Sequence, residues 1–206
     1  VEGLSLAGHL ASGVPGSVDG MVEAHKKYGS LPWADLVQPA IDFALNGFPV
    51  SEREANSLNE LQKDLEKYNT VKPEFLMRAW KKGDTIKWTD MGHTLERIRD
   101  NGRAGFYEGK TAEDLVAEMQ RGKGLITMED LKNYHSVWRD PVVANYKNYK
   151  VISMAPPSSG GLCVVQLLKA VEPLPLKDWG FNTSKTVHAM VEAERRVYAD
   201  RAKYMG

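Results

Sequence analysis

Apolar positions recur at two different periods along this chain, and the change between them organises it. Up to about residue 135 the spacing is helical. Val18, Met21, Val22, His25 and Tyr28 return every three or four residues until Gly29, which predicts a helix entered through Pro15. Trp33, Leu36, Val37, Ala40, Ile41, Ala44 and Leu45 form a second stripe that Asn46-Gly47 closes. Pro39 is expected to kink it or mark a restart, because proline lacks the amide and clashes one turn back. Ser51-Glu52-Arg53-Glu54 has capping-box spacing, and Ala55, Leu58, Leu61 and Leu65 continue a thinner, more solvated helix. Further helices are expected after Pro73, from Asp90 over Leu95 and Ile98 to Asn101-Gly102, over Thr111–Arg121, and from Thr127-Met128-Glu129-Asp130. The opening Val1–Val14, Gly-rich with a mild apolar alternation, reads as a strand or extended loop.

The period then drops to two. Pro141–Tyr146 and Tyr149–Met154 alternate, are rich in Val, Ile and Tyr, and are joined by Lys147-Asn148, which predicts a β-hairpin. Helical spacing returns in Leu162–Val171, expected to be buried, and in Ser184–Met205, with Val187, Met190, Val191, Glu194, Tyr198, Arg201 and Met205 on one side. There are no repeats and no low-complexity linker, and no boundary splits the chain, so residues 1–206 read as a single piece. The fold class is α+β, predominantly helical, with the hairpin near 141–154 among its few strands.

Composition narrows the partners. Twenty-seven basic side chains balance 27 acidic ones, leaving no net field to attract nucleic acid or an anionic membrane. No apolar run approaches the length that spans a bilayer. The single cysteine, Cys163, excludes an internal disulfide framework. Val1-Glu2-Gly3-Leu4-Ser5-Leu6 carries neither an initiating Met nor a signal-peptide pattern, and Gly206 falls where a helix C-cap would sit. Both ends read as cut from a longer chain, so any targeting segment would lie out of view.

Candidate chemistry is sparse. Met154-Ala155-Pro156-Pro157-Ser158-Ser159-Gly160-Gly161 leads from strand to helix, so its amides could face an anion. It is neither a Walker loop nor a Gly-x-Ser-x-Gly elbow, and a rigid turn whose serine caps the next helix accounts for it. His9, His25, His93, His135 and His188 show no metal spacing; His188 and Glu192, one helical turn apart, read as a hydrogen-bonded pair. Cys163 lies on an apolar helical face and reads as inert core. The mixed charges of Glu192–Arg196 with Asp200-Arg201 favour intrahelical and neighbouring ion pairs on a solvated face.

Taken in order, the eight-residue turn, Gly13-Val14-Pro15-Gly16 and Tyr198-Ala199-Asp200-Arg201-Ala202 resemble the large subunit of γ-glutamyltranspeptidases. So do Leu31-Pro32-Trp33, Leu36-Val37-Gln38-Pro39-Ala40, Gly47-Phe48-Pro49-Val50, Phe106-Tyr107-Glu108-Gly109, Gly124–Leu131 and Arg139-Asp140-Pro141-Val142. Ala155 departs from the pattern, standing where members usually carry a third proline, and implies a looser turn. The resemblance implies part of a four-layer αββα N-terminal-nucleophile hydrolase that cuts itself into two subunits. The full enzyme's expected activity is hydrolysis or transfer of γ-glutamyl groups from glutathione and γ-glutamyl amides.

The family's nucleophile, a threonine opening the small subunit, would lie beyond Gly206, and the arginine that grips the substrate carboxylate would lie before Val1. By this resemblance no catalytic, substrate-binding or metal-binding residue falls in the chain, no cofactor is needed, and the fragment alone is inactive. Thr186-Val187-His188 imitates the small subunit's opening Thr-x-His, but its helical pattern offers neither a strained junction nor a free α-amine. The implied location is periplasmic or extracellular. The implied partners are the small-subunit segment and a small γ-glutamyl substrate, with no nucleic acid and no membrane. Alternatives are a cephalosporin or glutaryl acylase, a poly-γ-glutamate transpeptidase, or a non-catalytic helical interaction domain. A fragment of a layered enzyme should also bare apolar surface, through Leu162, Val165 and Leu168 or through Val187, Met190 and Val191, and could self-associate.

Overall fold

The computed structural model describes residues 3–69 and 73–205. The chain forms two compact units, Val1–Ser136 and Val137–Gly206. The division falls at Tyr134-His135-Ser136-Val137-Trp138, which has none of the Gly- and Ser-rich composition of a linker.

In the first unit, residues 3–8 are turns, with the Leu6 amide on the Gly3 carbonyl at 3.1 Å, followed by one 3-10 turn, His9–Ala11. Of the strand or extended loop expected over Val1–Val14, no strand is formed among the described residues; Val1 and Glu2 lie outside them. Gly8, at φ 84°, interrupts the alternation, and no neighbouring strand takes up the amides. Helix α1 (Ser17–Tyr28) buries Val18, Asp19 and Val22, whereas Met21 and Tyr28 face out. Helix α2 (Trp33–Asn46) continues through Pro39. Strand β1 (Phe48–Pro49) leads into α3 (Glu52–Tyr68), whose capping box is complete. There Ser51 Oγ accepts from the Glu54 amide at 3.2 Å and Glu54 Oε2 accepts from the Ser51 amide at 2.7 Å.

A 3-10 turn at Glu74–Leu76 follows, then β2 (Thr85–Ile86), antiparallel to β1 with Phe48 opposite Ile86. Helix α4 (Thr89–Asn101) starts one residue before the cap expected at Asp90, so Asp90 sits in its first turn and makes no capping bond. Helices α5 (Ala104–Tyr107), α6 (Gly109–Arg121) and α7 (Met128–Asn133) complete the unit. A second capping box opens α7, between Thr127 and Asp130. Val18, Val22, Ile98, Tyr107, Ala112, Val116, Ile126 and Leu131 make one buried cluster, and Val50, Ala55, Trp80 and Ile86 make another.

In the second unit β3 (Val142–Tyr146) pairs with β4 (Tyr149–Ser153), Tyr146 opposite Tyr149. Helix α8 (Gly160–Val171) packs on both strands and on α10 (Ser184–Tyr204), with α9 (Leu176–Trp179) between them in sequence. The burial expected for α8 is only partial: Cys163 and Val171 are buried, Leu162, Val165 and Leu168 half-buried, and Val164 exposed. One hairpin and one helix are too little to cover it. Helix α10 buries Ala193 and Val197, while Val187 and Val191 on a different face are 43% and 45% exposed. The cap position assigned to Gly206 lies outside the described residues.

Candidate functional site

The turn before α8 is built by close approach. A Cβ on Gly161 would overlap the Met154 carbonyl oxygen, so only glycine lets the first turn of α8 close against the end of β4. The Pro156-Pro157 bond is cis. Ser158 Oγ accepts from the Gly160 amide at 3.3 Å, but the N-cap position of α8 belongs to Ser159, which makes no side-chain cap bond, so the serine cap expected from sequence is not formed there. Ser159 Oγ instead accepts from Arg201 Nε on α10 at 2.9 Å, and Gln166 donates to Asp200 at 3.3 Å. Beside these ties runs an open groove of about 630 Å³, walled by Pro156, Pro157, Leu162, Tyr204 and Met205. A guanidinium stays protonated and cannot serve Ser159 as a base, and no histidine lines the groove. The turn therefore joins elements; it does not assemble a nucleophile.

Thr186 sits in the first turn of α10. Its amide reaches Thr183 Oγ1 at 3.4 Å, and its hydroxyl donates to the Gly180 carbonyl at 2.9 Å. With its nitrogen in a peptide bond and its hydroxyl engaged, it lacks what an N-terminal nucleophile requires. The histidines are dispersed. His9 pairs with Glu118 at 2.6 Å, His25 with the Leu31 carbonyl at 2.8 Å and His93 with Glu96 at 2.9 Å. No three metal-ligating side chains converge among the described residues. Cys163 is a buried free thiol. Glu192 binds Arg195 at 2.7 Å and Arg196 at 3.0 Å, both arginines exposed, so within this chain the run is a solvated face.

The most connected polar cluster was not foreseen. Asp19 is 1% exposed. One carboxylate oxygen accepts from Arg103 Nε at 2.8 Å; the other accepts from the Ser136 amide and hydroxyl, both at 2.6 Å. Burial raises its pKa, but the Ser136 bonds and the Arg103 charge outweigh it and hold the carboxyl below the usual range. Arg103 Nη2 also donates to the carbonyls of Lys132 at 3.0 Å and Tyr134 at 2.6 Å. Tyr107 OH donates to the Pro15 carbonyl at 2.7 Å and accepts from the Asp19 amide at 3.3 Å, while burial pushes its own pKa up. A Cβ on Gly16 would overlap the Tyr134 hydroxyl, which accounts for the glycine just before α1. The available signal was Asp19 lying beside Val18, three residues before Val22, inside the apolar stripe. Its partners are 84 and 117 residues away, beyond any local pattern. A carboxylate so enclosed and so fully bonded is a clamp on the fold.

The sequence model of the gamma-glutamyltranspeptidase family matches residues 2–206. The chain belongs to this family. It is 42% identical over 205 residues to the glutathione hydrolase proenzyme of Escherichia coli (strain K12), covering 98% of this chain and 35% of that protein. It is 40% identical to the Pseudomonas aeruginosa glutathione hydrolase proenzyme, covering 100% of this chain and 37% of that protein. The chain thus spans about a third of the length of the curated relatives it matches. Among solved structures, Helicobacter pylori gamma-glutamyltranspeptidase superposes with a TM-score of 0.94 at 42% identity, over 100% of this chain and 60% of that one. The Bacillus anthracis transpeptidase CapD gives 0.80 at 34% identity, over 94% of this chain and 67% of that one. The fold is accordingly part of the family's N-terminal-nucleophile hydrolase architecture. The close approaches of Gly16 to Tyr134 and of Gly161 to the Met154 carbonyl serve packing.

Proposed function

We propose that this chain is the large-subunit portion of a γ-glutamyltranspeptidase that hydrolyses or transfers γ-glutamyl groups, with the nucleophile in a segment outside it. The observation that carries the reading is the match of the family across residues 2–206, at about two-fifths identity to two glutathione hydrolase proenzymes. A difference in length supports a divided precursor. The chain covers 60% of the Helicobacter pylori structure's chain but 35% of the Escherichia coli proenzyme, so the former is much the shorter.

In the proposed reaction a threonine hydroxyl attacks the carbonyl of a γ-glutamyl amide, its own α-amine taking the proton. The C–N bond breaks, the amine leaves carrying a proton, and an acyl-enzyme ester remains. Water or an amino-group acceptor then takes the acyl group and restores the hydroxyl. No metal or cofactor enters this scheme. This chain's share is the helical support and the contact with the small-subunit segment of the same precursor. The location we assign is periplasmic or extracellular; no described helix is long and apolar enough to cross a membrane.

The second reading is a relative with another acyl substrate. A cephalosporin acylase from Bacillus halodurans shares the fold at a TM-score of 0.79, but at 28% identity it stands further away. The deciding experiment offers the full-length precursor a γ-glutamyl anilide and a glutaryl amide. We expect turnover of the first, with none by residues 1–206 alone. Turnover of the glutaryl amide alone would move the assignment to the acylases, and turnover by the isolated chain would show that it holds a nucleophile after all.

A further inference from the structure

Among the described residues, one polar side chain ties residues 3–12 to the rest of the first unit. The amides of Leu6, Ala11 and Ser12 donate to carbonyls inside the segment, those of Gly3, Gly8 and His9. Leu4, Leu6 and Leu10 are all exposed, so apolar burial holds the segment weakly. The tie is His9, whose Nε2 donates to Glu118 Oε1 on α6 at 2.6 Å. A carboxylate only accepts, so Nε2 carries the proton in that bond. Arg121, one turn further along α6, binds the other Glu118 oxygen and holds the acceptor in place.

The imidazole sits in a fitted socket. A Cβ on Gly122 would overlap the ring, and one on Gly124 would lie 3.1 Å from His9 Cβ. Between the two glycines Lys123 is left-handed, at φ 59°. The bend is anchored by the Gly122 amide on the Glu118 carbonyl at 3.0 Å and the Gly124 amide on the Met119 carbonyl at 2.7 Å. The His9 side chain is therefore only 15% exposed, although Leu10, Ala11 and Ser12 after it face solvent. A few residues on, the chain is pinned again. Tyr107 OH donates to the Pro15 carbonyl at 2.7 Å, and Gly16 lies under the Tyr134 hydroxyl. Between these two fixings Gly13 stands in open space.

We propose that residues 3–12 form a strap, latched by His9 in the Gly122–Gly124 socket and swinging about Ser12-Gly13 when the latch is undone. Opening breaks one hydrogen bond and uncovers one ring. Among the described residues it breaks no backbone bond to another element, and it removes no member of the buried cluster around Tyr107. The strap therefore opens while the rest of the unit stays folded, at the low end of its local stabilities.

Hydrogen exchange of the full-length protein, read by mass spectrometry, tests this. In the wild type the Leu6, Ala11 and Ser12 amides should exchange more slowly than in an unfolded chain, yet faster than the amides of α1 and α6. His9→Ala should speed them about tenfold or more, the loss expected for one hydrogen bond to a charged group, with α1 and α6 unchanged. His9→Gln, which keeps a donor, should recover part of the protection. If His9→Ala yields no folded protein, Gly122→Ala supplies the second measurement. Gly122 lies at φ −89°, which alanine accepts, so this variant fills the socket while keeping His9. It should speed the same three amides to a similar degree. Wild-type rates at these amides in a folded variant overturn the proposal, as does wild-type protein that already exchanges them at the unfolded rate. A rise spread equally through α1 and α6 overturns it too, because His9 would then be part of the core rather than a latch.

Discussion

The two units differ in how their buried apolar residues are gathered. Val1–Ser136 encloses two buried clusters and fastens them with a buried ion pair, Asp19–Arg103, supported by Ser136 and Tyr107. Val137–Gly206 buries Cys163, Val171, Ala193 and Val197 and leaves Val143, Ile152, Val164, Val187, Val191 and Phe181 in solvent. Its hairpin has two strands, fewer than an independently stable sheet needs, and α8 covers one side of it. The first unit has two enclosed clusters, although Leu6, Phe43 and Leu125 remain in solvent around them. The second has the anatomy of an element prepared to be covered.

If that contrast is right, the largest effect belongs to the clamp. Asp19→Ala leaves Arg103 partly buried without its counter-charge and should cost about 3–5 kcal/mol in chemical denaturation. The same group makes a pH prediction. Its folded pKa lies below the unfolded value, so its contribution is complete above the ordinary aspartate range near pH 4. That contribution should fade as pH drops through the lowered folded pKa. Denaturation midpoints between pH 6 and pH 2.5 should therefore fall less steeply in Asp19→Asn than in the wild type. Parallel curves would mean that Asp19 does not titrate as its surroundings require.

The next effect compares the cores. Leu131→Ala, at a fully buried site, should cost about 2–5 kcal/mol. Val197→Ala removes two methylene equivalents from the thinner core and should cost about 1.5 kcal/mol. A larger loss at Val197 than at Leu131 would reverse the contrast between the units. Smaller again are the caps. Ser51→Ala and Thr127→Ala should each cost about 1 kcal/mol, read from the same denaturation curves. Smallest is the bare stripe, where Val191→Ser should shift stability by no more than about 0.5 kcal/mol while reducing self-association in sedimentation.

Much of the fold was legible because its signals are local. The capping box at Ser51, the helix start at Thr127, the hairpin turn flanked by Tyr146 and Tyr149, the limits of α2 and the end of α6 follow from residues within one or two turns of each other. The uncapped Asp90 marks the usual error of about one residue at a helix start. Over Val1–Val14 the choice between strand and extended loop was not local. Alternation permits a strand, but only a neighbouring strand makes one, and none lies there among the described residues. As for the candidate site, the helical setting of Thr186 was readable from its periodicity, and the structure gives its amide and hydroxyl partners.

By itself the sequence determined the helical periods, the caps, the hairpin and the family, since each is written in short, ordered motifs. Tertiary structure alone decided which side of each helix is inside. The stripe on α1 admits Asp19 and turns Met21 out because Arg103 and Ser136 arrive from far along the chain to neutralise a carboxylate. On α10, which packs on α8, Val187 and Val191 face solvent, and the buried residues are Ala193 and Val197, smaller and less prominent in the pattern. Periodicity reports that a face exists. Which neighbour claims it depends on packing between residues that no local window contains.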